Sequence, residues 1–324
     1  EAVPKRAMTL SSGTTFVIVL LLLIVPLFVK NFIIFQMTML LIYGLAVLAL
    51  NILTGGSGQF SLGNSAFYAV GAYTSAILME QYNVNYALTL PVAGVVCFGA
   101  GFLFGQPALR LSGVYLALAT FALATAMPQI LKLGFFEHWT GGVQGLVVTK
   151  PDAPFGLPMS QDMWLYYFTL AITIAIYIFS VNLLRSRSGR AFMAIRDNEI
   201  AASAMGIDVA TYKTLAFGVS AGITGVAGGL GAIAVQFVAP DSYTIVLAIS
   251  LFLGMVVGGV GWLPGSFIGS AFIIFVPNIA EGISKGLSGA VFGILLFLII
   301  FLLPHGARQV AMVAQQLLNK VRKS

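Results

Sequence analysis

Residues 185–213 read RSRSGRAFMAIRDNEIAASAMGIDVATYK, and the reading of the whole chain turns on them. They hold five of the sixteen Lys and Arg residues and three of the ten acids in a 324-residue sequence that is 59% hydrophobic and only 8% charged. A soluble domain carries about 25% charged residues, so most of this chain has no polar surface to present to water. The stretch is therefore a polar island in a polytopic membrane protein, and its positive bias places it on the cytoplasmic side. Basic residues collected on one side of a bilayer also account for the net charge of +6. That charge gives no ground for a nucleic-acid partner.

A helix needs about 20 apolar residues to cross the hydrocarbon. Working outward from the island, the apolar runs are 14–29, 34–53, 59–79, 87–106, 111–133 and 163–183 before it, and 214–237, 243–262, 264–282 and 286–304 after it. The expected fold is all-α with about ten transmembrane helices. Parity puts both termini and the island on one side. Twelve basic residues fall there: Lys5, Arg6, Arg110, Arg185, Arg187, Arg190, Arg196, Lys213, Arg308, Lys320, Arg322 and Lys323. Lys30, Lys132, Lys150 and Lys285 fall on the other side, a split that agrees with cytoplasmic termini. The first run resembles a secretory leader, but Lys30-Asn31-Phe32 offers no small-residue cleavage site, so it reads as a retained helix. The long outer loop is 134–162, with Trp139, the run Thr140-Gly141-Gly142-Val143-Gln144-Gly145, and three prolines. Two Gly-rich regions, 54–73 and 254–270, lie one in each half, where a pseudo-symmetric fold would repeat itself. Cys97 is the single cysteine, which excludes an internal disulfide.

Several function classes lack their residues. No G-x-x-x-x-G-K-[ST] occurs, and the nearest candidate, Lys213-Thr214, lacks the glycine. No His or Cys cluster stands ready for a metal, and neither H-E-x-x-H nor G-x-S-x-G is present. Glu80, Glu137, Asp152, Asp162, Asp241 and Glu281 all fall at span ends or in loops. A charge at the bilayer centre costs roughly 2.5–3.5 kcal/mol, and ion-coupled pumps keep such residues for their work. A chain driven by a partner's energy is favoured. The alternative is a stand-alone secondary transporter or facilitator, since sodium can be held by backbone carbonyls.

Within the island, Asp197 is placed to cap a helix and Glu199 lies in its first turn, where the helix dipole favours an acid. Ala201, Ala202, Ala204 and Met205 make a small, smooth face. Gly206 is suited to end the helix in the left-handed conformation, with Ile207 folding back. Composition alone leaves open whether this is a solvated loop or a docking element. Earlier in the chain, Gln59, Ser61, Asn64 and Ser65 read as the start of a broken helix lining a pathway, with Thr120, Thr125 and Gln129 as further candidates. Irregular backbone at membrane depth is tolerated where it borders water or protein. The plainer reading is that Gly63 and Gly71, on one face with Phe67, let helices pack closely.

These residues carry a resemblance. Ala201-Ala202-x-x-x-Gly206, preceded by Glu199, resembles the EAA loop of ABC-importer permeases, with Ile200 interrupting the match. Gly58-Gln59-Phe60-Ser61-Leu62-Gly63 with Phe67 and Gly71-Ala72-Tyr73, Leu109 to Tyr115, Thr140 to Leu146, Ser188 to Phe192 with Ala194 to Glu199, and Gly258 to Gly261 with Pro264 and Gly269 follow in order. From about residue 40 to 304 the chain is similar to the branched-chain amino acid permeases, LivM-type subunits of binding-protein-dependent ABC importers. The resemblance implies a single transmembrane permease domain over 1–324 with interrupted Gly-rich helices, a periplasmic loop at 134–162 and a cytoplasmic coupling loop at 185–213. It implies ATPase coupling through Gly189, Arg190, Arg196, Asp197, Asn198, Glu199, Ala201, Ala202 and Gly206, with 198–205 as the coupling helix. It places Gln59, Ser61, Asn64, Ser65 and Thr120 beside the translocation pathway. The implied partners are a second permease subunit forming a heterodimer, two cytoplasmic ABC ATPase subunits that bind ATP and Mg, and a periplasmic substrate-binding protein. This chain would then bind no cofactor and do no covalent chemistry. It would sit in a bacterial inner membrane and pass branched-chain amino acids or a related small polar solute; relatives are associated also with urea, amides and aromatic acids.

Overall fold

The computed structural model describes residues 20–108, 113–154 and 159–283, together with 293, 301, 306, 307 and 309. Of the expected span 14–29, only residues 20–29 are described, and they tighten at Pro26 into the 3-10 turn Val25–Leu27. The expected span 286–304 lies outside the described residues apart from 293 and 301. The other eight expected runs each meet a helix. In chain order the helices are α1 (Asn31–Asn51), α2 (Asn64–Glu80), α3 (Tyr86–Ala108), α4 (Val114–Leu131), the short α5 (Glu137–Thr140) and α6 (Gln161–Arg185). The island forms α7 (Arg187–Asp197) and α8 (Glu199–Ala204), and the chain continues through α9 (Val209–Val235), α10 (Ile245–Gly258) and α11 (Gly265–Ile283). Six helices among the described residues are long and apolar enough to cross a membrane: Asn31–Gly56, Tyr86–Gln106, Val114–Leu131, Gln161–Arg185, Val209–Val235 and Pro240–Gly258. The chain is a mainly helical, multi-pass membrane protein.

Run 59–79 departs most from expectation. Its helix, α2, starts only at Asn64, and residues 58–63 are irregular. Asn64 meets Thr224 near the middle of α9, so α2 begins partway through the bundle. Gly, Ser and Asn interrupt the apolar run at this point, and the helix yields there.

α9 is the central helix, packed against α3, α2 and α1. Its neighbours approach closely because glycines face them. A β-carbon on Gly71 would overlap the Gly225 carbonyl. Membrane helices associate by packing of this kind, since lipid tails offer no hydrophobic drive between helices. By contrast, α3 presents Leu88, Val92, Val95 and Leu103 outward, an apolar face suited to lipid.

At the end of the bundle far from the island, residues 134–154 of the expected long outer loop form a built cap. The Thr140 hydroxyl donates to the carbonyls of Leu131 (2.9 Å) and Phe136 (3.0 Å) and accepts from the Gly142 N–H (3.2 Å). Gly145, at φ +74°, passes against the Val238 backbone. Strand β1 (Leu146–Val147) then pairs antiparallel with β2 (Phe237–Val238), Leu146 opposite Val238. Glu80, at the end of α2, accepts from the Thr149 N–H (3.1 Å).

Candidate functional site

The island folds back onto the bundle. Ser186 caps α7 by accepting from the Gly189 N–H, and a β-carbon on Gly189 would overlap the Leu183 and Leu184 carbonyls. One face of α7 buries Ala191, Phe192 and Ile195, with Phe192 edge-on to Tyr212. α8 is capped by Asn198, whose Oδ1 accepts from the Ala201 N–H at 3.0 Å. This corrects the expectation for Asp197. The capping residue is the one with extended backbone, and here that is Asn198, at φ −160°. Asp197 ends α7 and turns to the Arg196 guanidinium instead. Gly206 takes φ +81°, and the Ile207 N–H returns to the Ala202 carbonyl at 3.1 Å, as the sequence reading expected.

Of the small face expected on α8, Ala201, Ala204 and Met205 are exposed, and Ile200 joins them. Ala202 is buried against the chain itself, while Ile200 and Met205 are each 83% exposed. A helix of six residues is too short for its pattern to define a face, and Ile200, which interrupts the motif in sequence, is part of the surface in space. Glu199 pairs with Lys213 (2.6 Å), and the Arg196 Nη1 donates to the Gly55 carbonyl (2.8 Å), so both bind this chain's own groups. Arg190 is exposed and donates to the Arg185 carbonyl (3.2 Å). Asp208 caps α9; the Thr211 hydroxyl and N–H that donate to it hold its carboxyl below the usual aspartate value.

The break between α1 and α2 lies under the island. α1 widens into a single π turn, Ile52–Gly56, a feature frequent at functional sites. Beyond it, side chains serve the irregular backbone. Thr54 Oγ1 donates to the Gln59 carbonyl (3.0 Å), and the Thr120 hydroxyl accepts from the Leu62 N–H (2.9 Å). Ser61 Oγ accepts from the Gly63 N–H (3.2 Å), and Asn64 Nδ2 donates to Thr224 Oγ1 (3.2 Å). Gln59 Nε2 reaches Ser57 Oγ (2.9 Å) and the Lys213 carbonyl (3.1 Å), tying the break to the end of the island. The structure thus brings Gln59, Ser61, Asn64, Ser65 and Thr120 together, all buried inside this one chain. Ser65 Oγ has no partner among the described residues. Thr125 and Gln129 point away from this cluster, exposed on α4. A cavity of about 260 Å3 separates island and break, with Ser57, Gln59, Leu116, Arg196 and Lys213 in its wall.

Sequence reasoning missed Asn51. This buried amide donates to the carbonyls of Trp262 (3.1 Å) and Gly259 (3.4 Å) and to Ser266 Oγ (3.3 Å), and its Oδ1 accepts from the Gly261 N–H (2.6 Å). It joins the two Gly-rich regions, which meet where Gly55 lies against the Gly261 backbone. An asparagine at the end of an apolar run was the available signal, because a buried amide needs partners.

Residues 32–300 match the family described as branched-chain amino acid transport system / permease component. The chain belongs to that family. Among its relatives is the high-affinity branched-chain amino acid transport system permease protein LivM of Salmonella typhimurium, 36% identical over 247 residues, 69% of this chain and 58% of that protein. LivM of Escherichia coli K12 is 34% identical over 80% of this chain and 67% of its own length. A more distant relative is the autoinducer 2 import system permease protein LsrC of Escherichia coli O157:H7, 28% identical over 78% of this chain and 72% of its own. No solved structure gives a significant match. The island, both Gly-rich breaks and the far-end cap all fall inside the region that matches the permease family.

Proposed function

We propose that this chain is the pore-forming permease subunit of an ABC importer and passes branched-chain amino acids, or a related small polar solute, by ATP-driven alternating access. The observation that carries the reading is the island. It is a rigid, capped helix pair with Ile200 and Met205 standing exposed, joined to a helix break inside the bundle. One of two ATPase subunits docks on α8 from the cytoplasm, a second permease completes the pathway and receives the other, and a binding protein delivers solute to the periplasmic end. ATP and Mg bind on the ATPase subunits. Both termini are cytoplasmic. The likeness to LivM favours branched-chain amino acids, and the likeness to LsrC, whose name gives autoinducer 2, keeps the solute class wider.

The test is gentle purification of the tagged chain from its host, followed by mass spectrometry of what accompanies it. The expected result is a second permease and P-loop ATPases, with the ATPases lost in I200K and M205K. A chain that purifies alone and still moves solute into vesicles without ATP is a secondary transporter.

A further inference from the structure

Beyond the buried face of α7, Arg196 ties this helix to the break between α1 and α2. Its guanidinium is a planar fork of donors in fixed geometry. All three nitrogens are engaged: Nε and Nη2 with Asp197 Oδ1 (3.0 and 2.9 Å) and Nη1 with the Gly55 carbonyl (2.8 Å). Its aliphatic stem lies against Gly58, which turns the chain there at φ +74°. Gly55 belongs to the π turn and packs backbone to backbone on Gly261, with no side-chain layer between them to absorb a displacement. At the end of α1, just before the π turn, Asn51 donates to the Gly259 and Trp262 carbonyls and accepts from the Gly261 N–H, gripping the turn 259–264, and it also reaches Ser266 Oγ at the start of α11. That turn holds Gly259 (φ +102°) and Gly261 (φ +79°) and leads directly into α11.

We propose that Arg196 and Asn51 are positioning residues that form a two-step strut, carrying movement of α7 and α8 to the 259–264 turn and so to α11. The proposal rests on the coupling reading above. It differs from it in giving Arg196 an internal role: the guanidinium holds the break and does not hold an ATPase carboxylate. Adjacent packed backbone is what makes the connection stiff. Packed side chains, hydrogen bonds and rigid elements carry coupling between distant sites, and here each step is a hydrogen bond or a backbone contact.

The test measures distances in the full purified complex by spin–spin spectroscopy. One nitroxide pair is R187C with L88C, and the other is V260C with L88C. All three native side chains are exposed, and the native Cys97 is buried and takes no label. In the otherwise unaltered complex both pairs shift between the nucleotide-free and ATP–vanadate states. In R196Q the Arg187 pair still shifts, while the Val260 shift falls by more than half; R196K recovers part of it, and N51L behaves like R196Q. An unchanged Val260 shift in R196Q and N51L overturns the strut, as does a Val260 pair that never moves. Loss of the ATPase subunits from R196Q complexes makes Arg196 a docking contact and also overturns it. If no ATPase accompanies the unaltered chain, the coupling reading fails, and the strut with it.

Discussion

At the far end of the bundle, Lys132 meets Asp241 and Lys150 meets Asp162. At the island end, Arg196 and Asn51 reach backbone carbonyls 141 and more than 200 residues away in sequence. The far-end pairs join the flexible tips of charged side chains; Lys132–Asp241 reaches water, where an ion pair is worth about 0–1 kcal/mol and tolerates loose geometry, while Lys150–Asp162 is more covered. The island-end bonds are directional and aimed at main chain, buried at Asn51 and part-buried at Arg196. A backbone group left without its partner there costs about 1–3 kcal/mol. The far end is thus held together, whereas the island end is held in position.

That contrast can be broken, starting with the largest effect. N51L removes the partner of two carbonyls and one N–H at once. We expect a loss of several kcal/mol in thermal unfolding of the detergent-solubilised protein, by addition of about 1–3 kcal/mol for each group, and transport reduced at least tenfold. R196Q removes a charged donor from one carbonyl, and about 1.5–3 kcal/mol is expected, the range for a hydrogen bond to a charged group. A chain as stable as the unaltered one in either case would erase the difference between the ends. G206A meets open space around its β-carbon but must hold φ +81°. Left-handed backbone costs an L-residue roughly 1–2 kcal/mol, and hydrogen exchange at residues 199–206 should rise while the bundle core stays protected. K132A is the smallest: a change within about 1 kcal/mol, with transport retained. A larger loss would mean that the far end is positioned too.

Much of this fold is legible in the sequence, because apolar runs of sufficient length leave a helix no alternative in lipid. The interruption of run 59–79 by Gly, Ser and Asn announced a break, and residues 58–63 are irregular. The left-handed end at Gly206 was legible for the same kind of reason, since glycine adopts it without steric cost. The cap of α8 was harder. Asp197 and Asn198 are adjacent and equally suited, and only the backbone angles choose Asn198. The partners of Arg196 and Asn51 were not legible, because they are carbonyls of Gly55, Gly259 and Trp262 and no side chain marks a carbonyl as an acceptor. The far-end ribbon escaped notice because two residues per strand are too few to alternate visibly.

The central claim is that α8 presents its exposed side to an ATPase. Site-specific photo-crosslinking from position 200 in native membranes tests it most directly. The account predicts a covalent adduct between this chain and a P-loop ATPase subunit. Adducts to lipid alone, with the chain otherwise intact and transporting, would contradict it.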